Sequence, residues 1–262
     1  MSNKITTDLL EFIENSPSCF HAVQTTKEIL TKHGFTELSE DQTWNLTPGN
    51  DYFVTRNGSS IIAFSIPESV VLQNGFRIIA SHSDSPSFKI KENPEMAVED
   101  HYIKLNVERY GGMLCAPWFD RPLSVAGRVI VKENGTYCAK LINADRDLLL
   151  IPNLAIHMNR DANNGLRYDP QKDMLPLYGD LSDKIPSFNR SLKQPASIRN
   201  RSSDMISSFT AVPRAPSGEL TANLFPAAGW MICSAPMLLL WGYCLLMFIP
   251  VSPSIVCWIM RK

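Results

Sequence analysis

A histidine and an aspartate separated by a single residue are the strongest chemical signal in the sequence. His82 and Asp84 stand in the segment His-Ser-Asp-Ser-Pro, directly after the apolar run Phe76 to Ser81. An imidazole can bind zinc through one nitrogen while its other nitrogen donates to a carboxylate, which fixes the tautomer. The same pair also suits a solvated or capping turn. Taken alone, it leaves a metal site and a structural turn both open.

The remaining histidines are weaker candidates for chemistry. His21 lies inside a predicted helix, His33 at the end of that helix and His101 at the start of a predicted strand. A structural role is expected for each of these three. His157 ends an apolar strand or loop that begins at Ile151.

Two helices are predicted ahead of the strand that carries His82. The first has Thr7 or Asp8 as its cap and runs through Asn15, because apolar residues recur there at a helical period. The second follows Ser18 and ends at His33-Gly34, where glycine is a common helix terminator.

Three apolar strands are predicted after the helices. They are residues 52–56, residues 59–66 after an Asn57-Gly58 turn, and Phe76 to Ser81. Helices followed by short apolar strands indicate an α/β layer whose sheet is buried on both faces. His82 then lies beyond the C-terminal end of a strand, where open α/β sheets place their ligands.

A second, β-rich unit is predicted from Tyr102 to Leu150. Its clearest feature is a hairpin that turns at Glu133-Asn134-Gly135, between two runs of strand-forming residues.

Composition excludes some functions. The formal net charge is -1, from 25 basic and 26 acidic residues, so no global field would gather nucleic acid or an anionic membrane. The six cysteines show no C-x-x-C pair, and the first residues lack the apolar region of a secretory signal. We expect reduced thiols and a cytoplasmic protein.

Three blocks of sequence resemble one enzyme family. They are ASHSDSPSFKIK around His82, YGGMLCAPWFDRPLSVAGRVIV from Tyr110, and IPNLAIHMNRDANNG around His157. Their order and spacing, and the opening FIENSPSCFHAV, are similar to those of the aspartyl aminopeptidase family. The resemblance covers about the first 180 residues.

The resemblance implies a dinuclear zinc exopeptidase that removes N-terminal residues, chiefly Asp or Glu, from peptides and assembles into homo-oligomers. The histidine matching His82 is a zinc ligand in that family, and the aspartate matching Asp84 orients it. The histidine matching His157 lies in the dimerisation unit, as a metal ligand or as a group that reaches a neighbouring subunit's site. A hydrogen-bonded histidine at a strand end is the structural alternative. The family's remaining metal ligands, in Arg-Leu-Asp-Asp and Asp-Asn-Glu-Glu segments, do not occur in this sequence.

The last third of the chain departs from the family. Leu224 to Met260 contains no charged residue, but Pro226, Pro236, Pro250 and Pro253 interrupt it. The longest stretch between these prolines is shorter than the roughly 20 residues that a membrane span needs. A buried hydrophobic domain is a second option, although helical period and capping signals are lacking.

A shifted reading frame is the third option, and the genetic code tests it. Trp230-Met231-Ile232-Cys233 requires the codons UGG, AUG, AUH and UGY, where H is any base except G. Reading the last base of each codon together with the first two bases of the following codon gives Asp-Asp followed by Leu or Met. The family's metal-bridging segment, as the resemblance implies it, has the same Asp-Asp pair. The same shift from Asp204 onward permits Tyr-Asp-Leu-Phe-Leu-Tyr. We therefore predict that the frame slips between about Gly179 and Asp204.

The predicted organisation follows from these observations. Residues 1–92 form the first segment of an α/β zinc-peptidase domain, residues 93–183 a β-rich dimerisation domain, and residues 184–262 a non-native or disordered tail. The function expected is that of a zinc metalloaminopeptidase truncated in this chain, with two zinc ions per subunit in the family and peptides as substrates. The alternative is a non-catalytic remnant or a membrane-tethered interaction protein.

Overall fold

The computed structural model describes residues 2–69, 75–133, 135–181, 206–213 and 255–261. The chain divides into two compact units, the first containing residues 1–85 and 233–262 and the second residues 86–232. The domain boundary that the sequence predicts at residue 92 lies inside a strand of the second unit, Ser87–Val98.

Two helices come first in the chain, and strands follow them. In chain order they are α1 (Ser2–Glu14), α2 (Cys19–Lys32), β1 (Thr36–Leu38), β2 (Asp51–Arg56), β3 (Ser60–Ser65), β4 (Phe76–His82), β5 (Ser87–Val98), β6 (Tyr102–Tyr110), β7 (Pro122–Glu133), β8 (Thr136–Asn143), β9 (Leu149–Leu150), β10 (Leu177–Asp180), β11 (Ile206–Pro213) and β12 (Ile255–Arg261). Two short 3-10 turns, Ala116–Trp118 and Ala162–Asn164, lie between strands of the second unit.

Helix α2 begins and ends where the sequence predicts. Ser18 is its N-cap, with extended backbone and a side chain that accepts from the His21 amide. The His33 amide closes the last turn onto the carbonyls of the helix end, and Gly34 follows with φ of 86°. Helix α1 instead begins at Ser2, so Thr7 and Asp8 lie inside the helix and the predicted cap there is wrong.

The first unit has one mixed sheet of five strands in the order β1-β2-β3-β12-β4. β2 and β3 form the predicted hairpin, and Asn57 and Gly58 turn it with φ of 54° and 62°. β12 lies between β3 and β4, antiparallel to the first and parallel to the second. One face of this sheet packs on the helices through Phe12, Val23, Leu30, Phe53, Ile61, Ala63 and Met260.

The second unit is a seven-stranded sheet in the order β11-β5-β6-β10-β9-β7-β8. Because β11 pairs with both β5 and β7, the sheet closes on itself. Its buried core includes Phe88, Leu105, Val107, Leu123 and Ile151. Trp118 is also fully buried there, and its ring meets Phe88 edge-on with centroids 5.0 Å apart.

The β-rich unit and its hairpin at residues 133–135 are confirmed, since Glu133 pairs with Thr136. Two segments of the predicted non-native tail, β11 and β12, are strands in these sheets. The rest of that tail, including residues 214–254, lies outside the described residues. Within the described ranges, no helix has the length and apolar character of a membrane span.

The pH dependence of stability should depend on His21. Its Nδ1 lies 2.7 Å from Ser18 Oγ, and burial lowers its pKa to about 4, from an ordinary value near 6.5. The unfolded chain therefore binds one more proton than the folded chain between these values. This contribution to stability is complete above about pH 6.5 and is lost as the pH falls towards 4.

We expect a loss of about 2 kcal/mol from this group between pH 7 and pH 5. Urea unfolding of the wild type and of His21→Gln at both pH values measures it. The variant should lose less stability on acidification by about that amount, and equal losses in the two proteins would contradict the assignment.

Candidate metal centre

His82 is the last residue of β4, so the sheet of the first unit determines its position. β4 pairs with β12 along its whole length, and His82 lies opposite Arg261. Ile79 of β4 packs against the core that the helices cover. The end of the strand, and with it the imidazole, is held in place by this packing.

The geometry of His82 leaves one ring nitrogen available for a metal. Nδ1 lies 2.7 Å from the carbonyl oxygen of Asp84 and 3.3 Å from its carboxylate Oδ1. Both of these oxygens are acceptors, so Nδ1 carries the proton and donates. Nε2 has no hydrogen-bond partner among the described residues. The predicted His82 and Asp84 pair is therefore formed.

Ser83, which the sequence analysis did not single out, anchors this turn. Its side chain is buried, and its hydroxyl donates to the carbonyl of Ser59 at 2.8 Å. Ser59 follows the turn of the β2–β3 hairpin. The bond thus ties the segment that carries His82 and Asp84 to the β2–β3 hairpin, and no pattern in the sequence indicates it.

His157 lies in the second unit, in a turn and not at a strand end. The preceding strand is only Leu149–Leu150, and residues 151–155 have no regular structure. His157 is exposed and makes no hydrogen bond within the described part of the chain. The hydrogen-bonded strand-end histidine considered as the alternative is therefore not what the structure contains.

The three sequence blocks that resemble the family contact one another in the structure. Ser87, within the first block, pairs with Tyr110, at the start of the second. Gly111 has φ of 75°, and a Cβ placed there would lie 3.6 Å from the Cα of Pro86. These contacts bring the start of β5 against the end of β6.

Asp120 joins the second block to the third. Its φ is 55°, a left-handed conformation that costs most residues about 1–2 kcal/mol and that Asp tolerates better. Its amide donates to the carbonyl of Ile151 at 2.9 Å, and its Oδ1 accepts from the Asn153 amide at 2.9 Å. Asp120 thereby sets the direction of the segment that leads to His157. Burial lowers the pKa of the next residue, Arg121, which donates to the Pro117 carbonyl.

The described residues do not assemble a complete metal site. No group of three or more His, Cys, Asp or Glu side chains comes together within the described ranges. Structural zinc sites take four ligands, and catalytic sites take three protein ligands plus water. His82 fits one ligand position of such a site, oriented by Asp84 as metal-bound histidines usually are.

Comparison with known proteins identifies the fold and the relatives. The family model described as aminopeptidase I zinc metalloprotease (M18) matches residues 12–207. A protein of Clostridium acetobutylicum described as "probable M18 family aminopeptidase 2" is 49% identical over 191 residues, which cover 72% of this chain and 44% of that relative. Its Clostridium novyi counterpart is 49% identical over 197 residues, covering 74% of this chain and 46% of that relative. This chain thus spans less than half the length of these curated relatives.

Solved structures match both units. The complex of Ape4 and Nbr1 contains a chain that matches with a TM-score of 0.80 and 31% identity, covering 99% of this chain and 54% of that one. The mApe1 structure of Chaetomium thermophilum gives a TM-score of 0.75 and 28% identity, with 99% and 62% covered. The S. cerevisiae mApe1 dodecamer has the same fold, with a TM-score of 0.70 at 21% identity, and covers 99% of this chain and 60% of its own.

Replacing Asp120 should loosen the segment that leads to His157. Asp120→Ala removes the acceptor for the Asn153 amide and disfavours the left-handed backbone, so we expect a loss of about 1–3 kcal/mol in unfolding free energy. Hydrogen exchange at the Asn153 amide should accelerate as well. Asp120→Asn is the matched control, since it keeps an oxygen acceptor and tolerates positive φ. If both variants behave like the wild type, Asp120 does not hold this segment.

Proposed function

This chain belongs to the M18 family of zinc metalloproteases, and on that premise we propose that it is the first part of a zinc aminopeptidase. Its substrates are peptides, from which the enzyme removes N-terminal residues, chiefly Asp or Glu. The observation that supports the proposal is the contact of 2.7 Å between His82 Nδ1 and the carbonyl oxygen of Asp84. Because Nδ1 is engaged in this contact, Nε2 is the ring nitrogen that can bind a metal. The activity belongs to a protein about twice as long as the segment matched here.

His82 and Asp84 have distinct roles in this proposal. His82 supplies Nε2 to one of two zinc ions, and Asp84 holds the proton on Nδ1 and orients the ring. Bound zinc would supply a polarising charge for the scissile carbonyl and for water. The described residues fit one ligand position and not a whole site. The remaining ligands must come from a part of the protein outside the described residues.

The exposed surroundings of His157 favour a role for this residue outside its own subunit. It is exposed, and the neighbouring apolar side chains of Leu154, Ile156 and Met158 are exposed as well, by 57%, 47% and 77%. Apolar side chains clustered on a surface favour a protein contact. We place this segment at the contact between subunits of a homo-oligomer, where His157 reaches the metal site of a neighbouring subunit. A dodecamer of the related mApe1 supports this assembly.

The tail is proposed to be out-of-frame translation. The family match ends at residue 207, close to the predicted slip between Gly179 and Asp204. A cytoplasmic location remains part of the proposal, because the six cysteines show no C-x-x-C pair and their spacing is typical of reduced thiols. A non-catalytic remnant is the second candidate, favoured by the single ligand position and by the short span of the family that is matched.

A fusion protein tests the function directly. Residues 1–183 joined to the part of the Clostridium acetobutylicum relative that this chain does not match should bind zinc and release aspartate from a chromogenic aspartyl peptide. His82→Ala removes a ligand, and Asp84→Asn weakens its orientation, for which about 10–100-fold in metal affinity or activity is typical. Zinc content and rate measure both effects.

His101→Ala is the control, since His101 precedes β6 and has no part in the proposed site. A fusion that folds, binds zinc and keeps its zinc in His82→Ala would remove His82 from the site. A folded fusion without zinc and without peptidase activity would favour the remnant.

A further inference from the structure

The turn of the first hairpin contains a chemically reactive dipeptide. Asn57 and Gly58 lie between β2 and β3, and both residues are exposed. In an asparagine–glycine pair the glycine nitrogen can attack the side-chain amide carbon of the asparagine, because glycine has no side chain that hinders the approach. The pair that turns this hairpin is therefore also suited to spontaneous deamidation.

The attacking nitrogen has no hydrogen bond within the described part of the chain. The turn is closed by the Ser59 amide, which donates to the carbonyl of Arg56 at 3.1 Å, and strand pairing begins with Arg56 and Ser60. The Gly58 amide donates to no other described residue. No hydrogen bond of this nitrogen has to break before it reacts.

The same turn holds the segment that carries His82. The Ser83 hydroxyl donates to the Ser59 carbonyl at 2.8 Å, and no other described residue bonds to this hydroxyl. Ser83 is 7% exposed. If the Ser59 carbonyl moved away, a buried hydroxyl would be left without a partner, which is costlier than the loss of an exposed hydrogen bond. A change in the turn is thereby transmitted to the residues on either side of Ser83, His82 and Asp84.

We propose that Asn57 is a deamidation site whose isoaspartyl product releases the His82–Asp84 segment from the hairpin. The Gly58 nitrogen forms a bond to Cγ of Asn57, and the side-chain amide nitrogen leaves as ammonia with the proton of the Gly58 amide. Water then opens the resulting five-membered imide at one of its two carbonyls. One opening gives aspartate at position 57, and the other gives isoaspartate, in which the main chain runs through the side-chain methylene.

The two products differ in their effect on the turn. Isoaspartate adds one carbon atom to the main chain, and a carbon–carbon bond is about 1.5 Å long. Because Arg56 and Ser60 are paired, the extra atom is accommodated within residues 57–59, which include the Ser59 carbonyl. A shift of that size takes the Ser83 hydroxyl beyond hydrogen-bond distance. Aspartate leaves the main chain and this bond unchanged. The inference concerns the turn alone and does not rest on the proposed function.

Ageing of the 262-residue chain in mildly alkaline buffer tests the proposal. Peptide mapping by mass spectrometry should show conversion of the Asn57 amide to acid, and fragmentation distinguishes isoaspartate from aspartate. Hydrogen exchange is then measured on peptides that cover residues 81–85. We expect exchange in the isoaspartyl fraction to be faster by about 5- to 100-fold, as the cost of an unpaired buried hydroxyl implies.

Two variants are the matched controls. Gly58→Asp keeps a residue type that tolerates positive φ but places a side chain beside the attacking nitrogen, so Asn57 should stay an amide on ageing. Asn57→Asp carries the charge of the product without the extra atom. Freshly prepared, this variant should exchange over residues 81–85 at the rate of the unaged wild type.

Asn164-Gly165 is an internal comparison, since this second exposed pair belongs to the other unit. Its deamidation should leave exchange over residues 81–85 unchanged. A chain that keeps its circular dichroism spectrum and its Asn57 amide on ageing would overturn the proposed site. Isoaspartate at position 57 with unchanged exchange over residues 81–85 would overturn the link to His82. Equally fast exchange in fresh Asn57→Asp would assign the effect to charge and overturn the role of the extra atom.

Discussion

The packing of one face of the first sheet on α1 and α2 is the contact on which the position of His82 depends. Phe53, Ile61 and Met260 are fully buried in it, and burial of side chains of this size contributes about 1.5–3 kcal/mol each. The strands above this core are fixed, and β4 carries His82 to the end of the sheet. The opposite face lacks such a cover at β4 in the described part of the chain. One side of the strand that bears His82 is therefore supported and the other is open.

The second unit is held together in another way, because its sheet closes on itself through β11. β7 is the central strand, because it pairs with β8 and β9 on one side and with β11 on the other. The sequence blocks that resemble the family correspond to contacts that few residue types allow. Gly111 has a positive φ of 75°, which side chains rarely adopt, and Asp120 combines a left-handed backbone with an acceptor for the next block. Their specificity in sequence thus has a cause in backbone conformation and hydrogen bonding.

Local signals were sufficient for the elements that depend on neighbouring residues. Ser18 caps α2, and Asn57-Gly58 turns the first hairpin, because capping and positive φ are properties of those residue types. β5 was not predicted as a strand, since Pro94 and its charged neighbours interrupt the apolar pattern. A register shift between Ile90 and Glu95 accommodates that interruption. The pairings of β11 and β12 join segments far apart in the chain, which no local pattern specifies.

In the candidate site too, contacts between near neighbours in the chain could be predicted from sequence, and contacts that depend on tertiary packing could not. His82 and Asp84 are two residues apart, so their contact could be predicted from sequence. The Ser83 bond to Ser59 and the positive φ of Asp120 depend on tertiary packing, and the motif residues alone did not reveal them. The apolar residues before His157 left a strand and a loop both open; in the structure that segment is held by Asp120 and does not join a sheet.

The family match that ends at residue 207 and the single ligand position in the described residues both support the proposal that the rest of the protein is read in another frame. Resequencing the gene across the codons from Gly179 to Asp204 tests this most directly. The account predicts an extra or missing base there, which restores the Asp-Asp segment in frame. A confirmed sequence would contradict it, because the Asp-Asp segment would then not be read in frame with the matched segment.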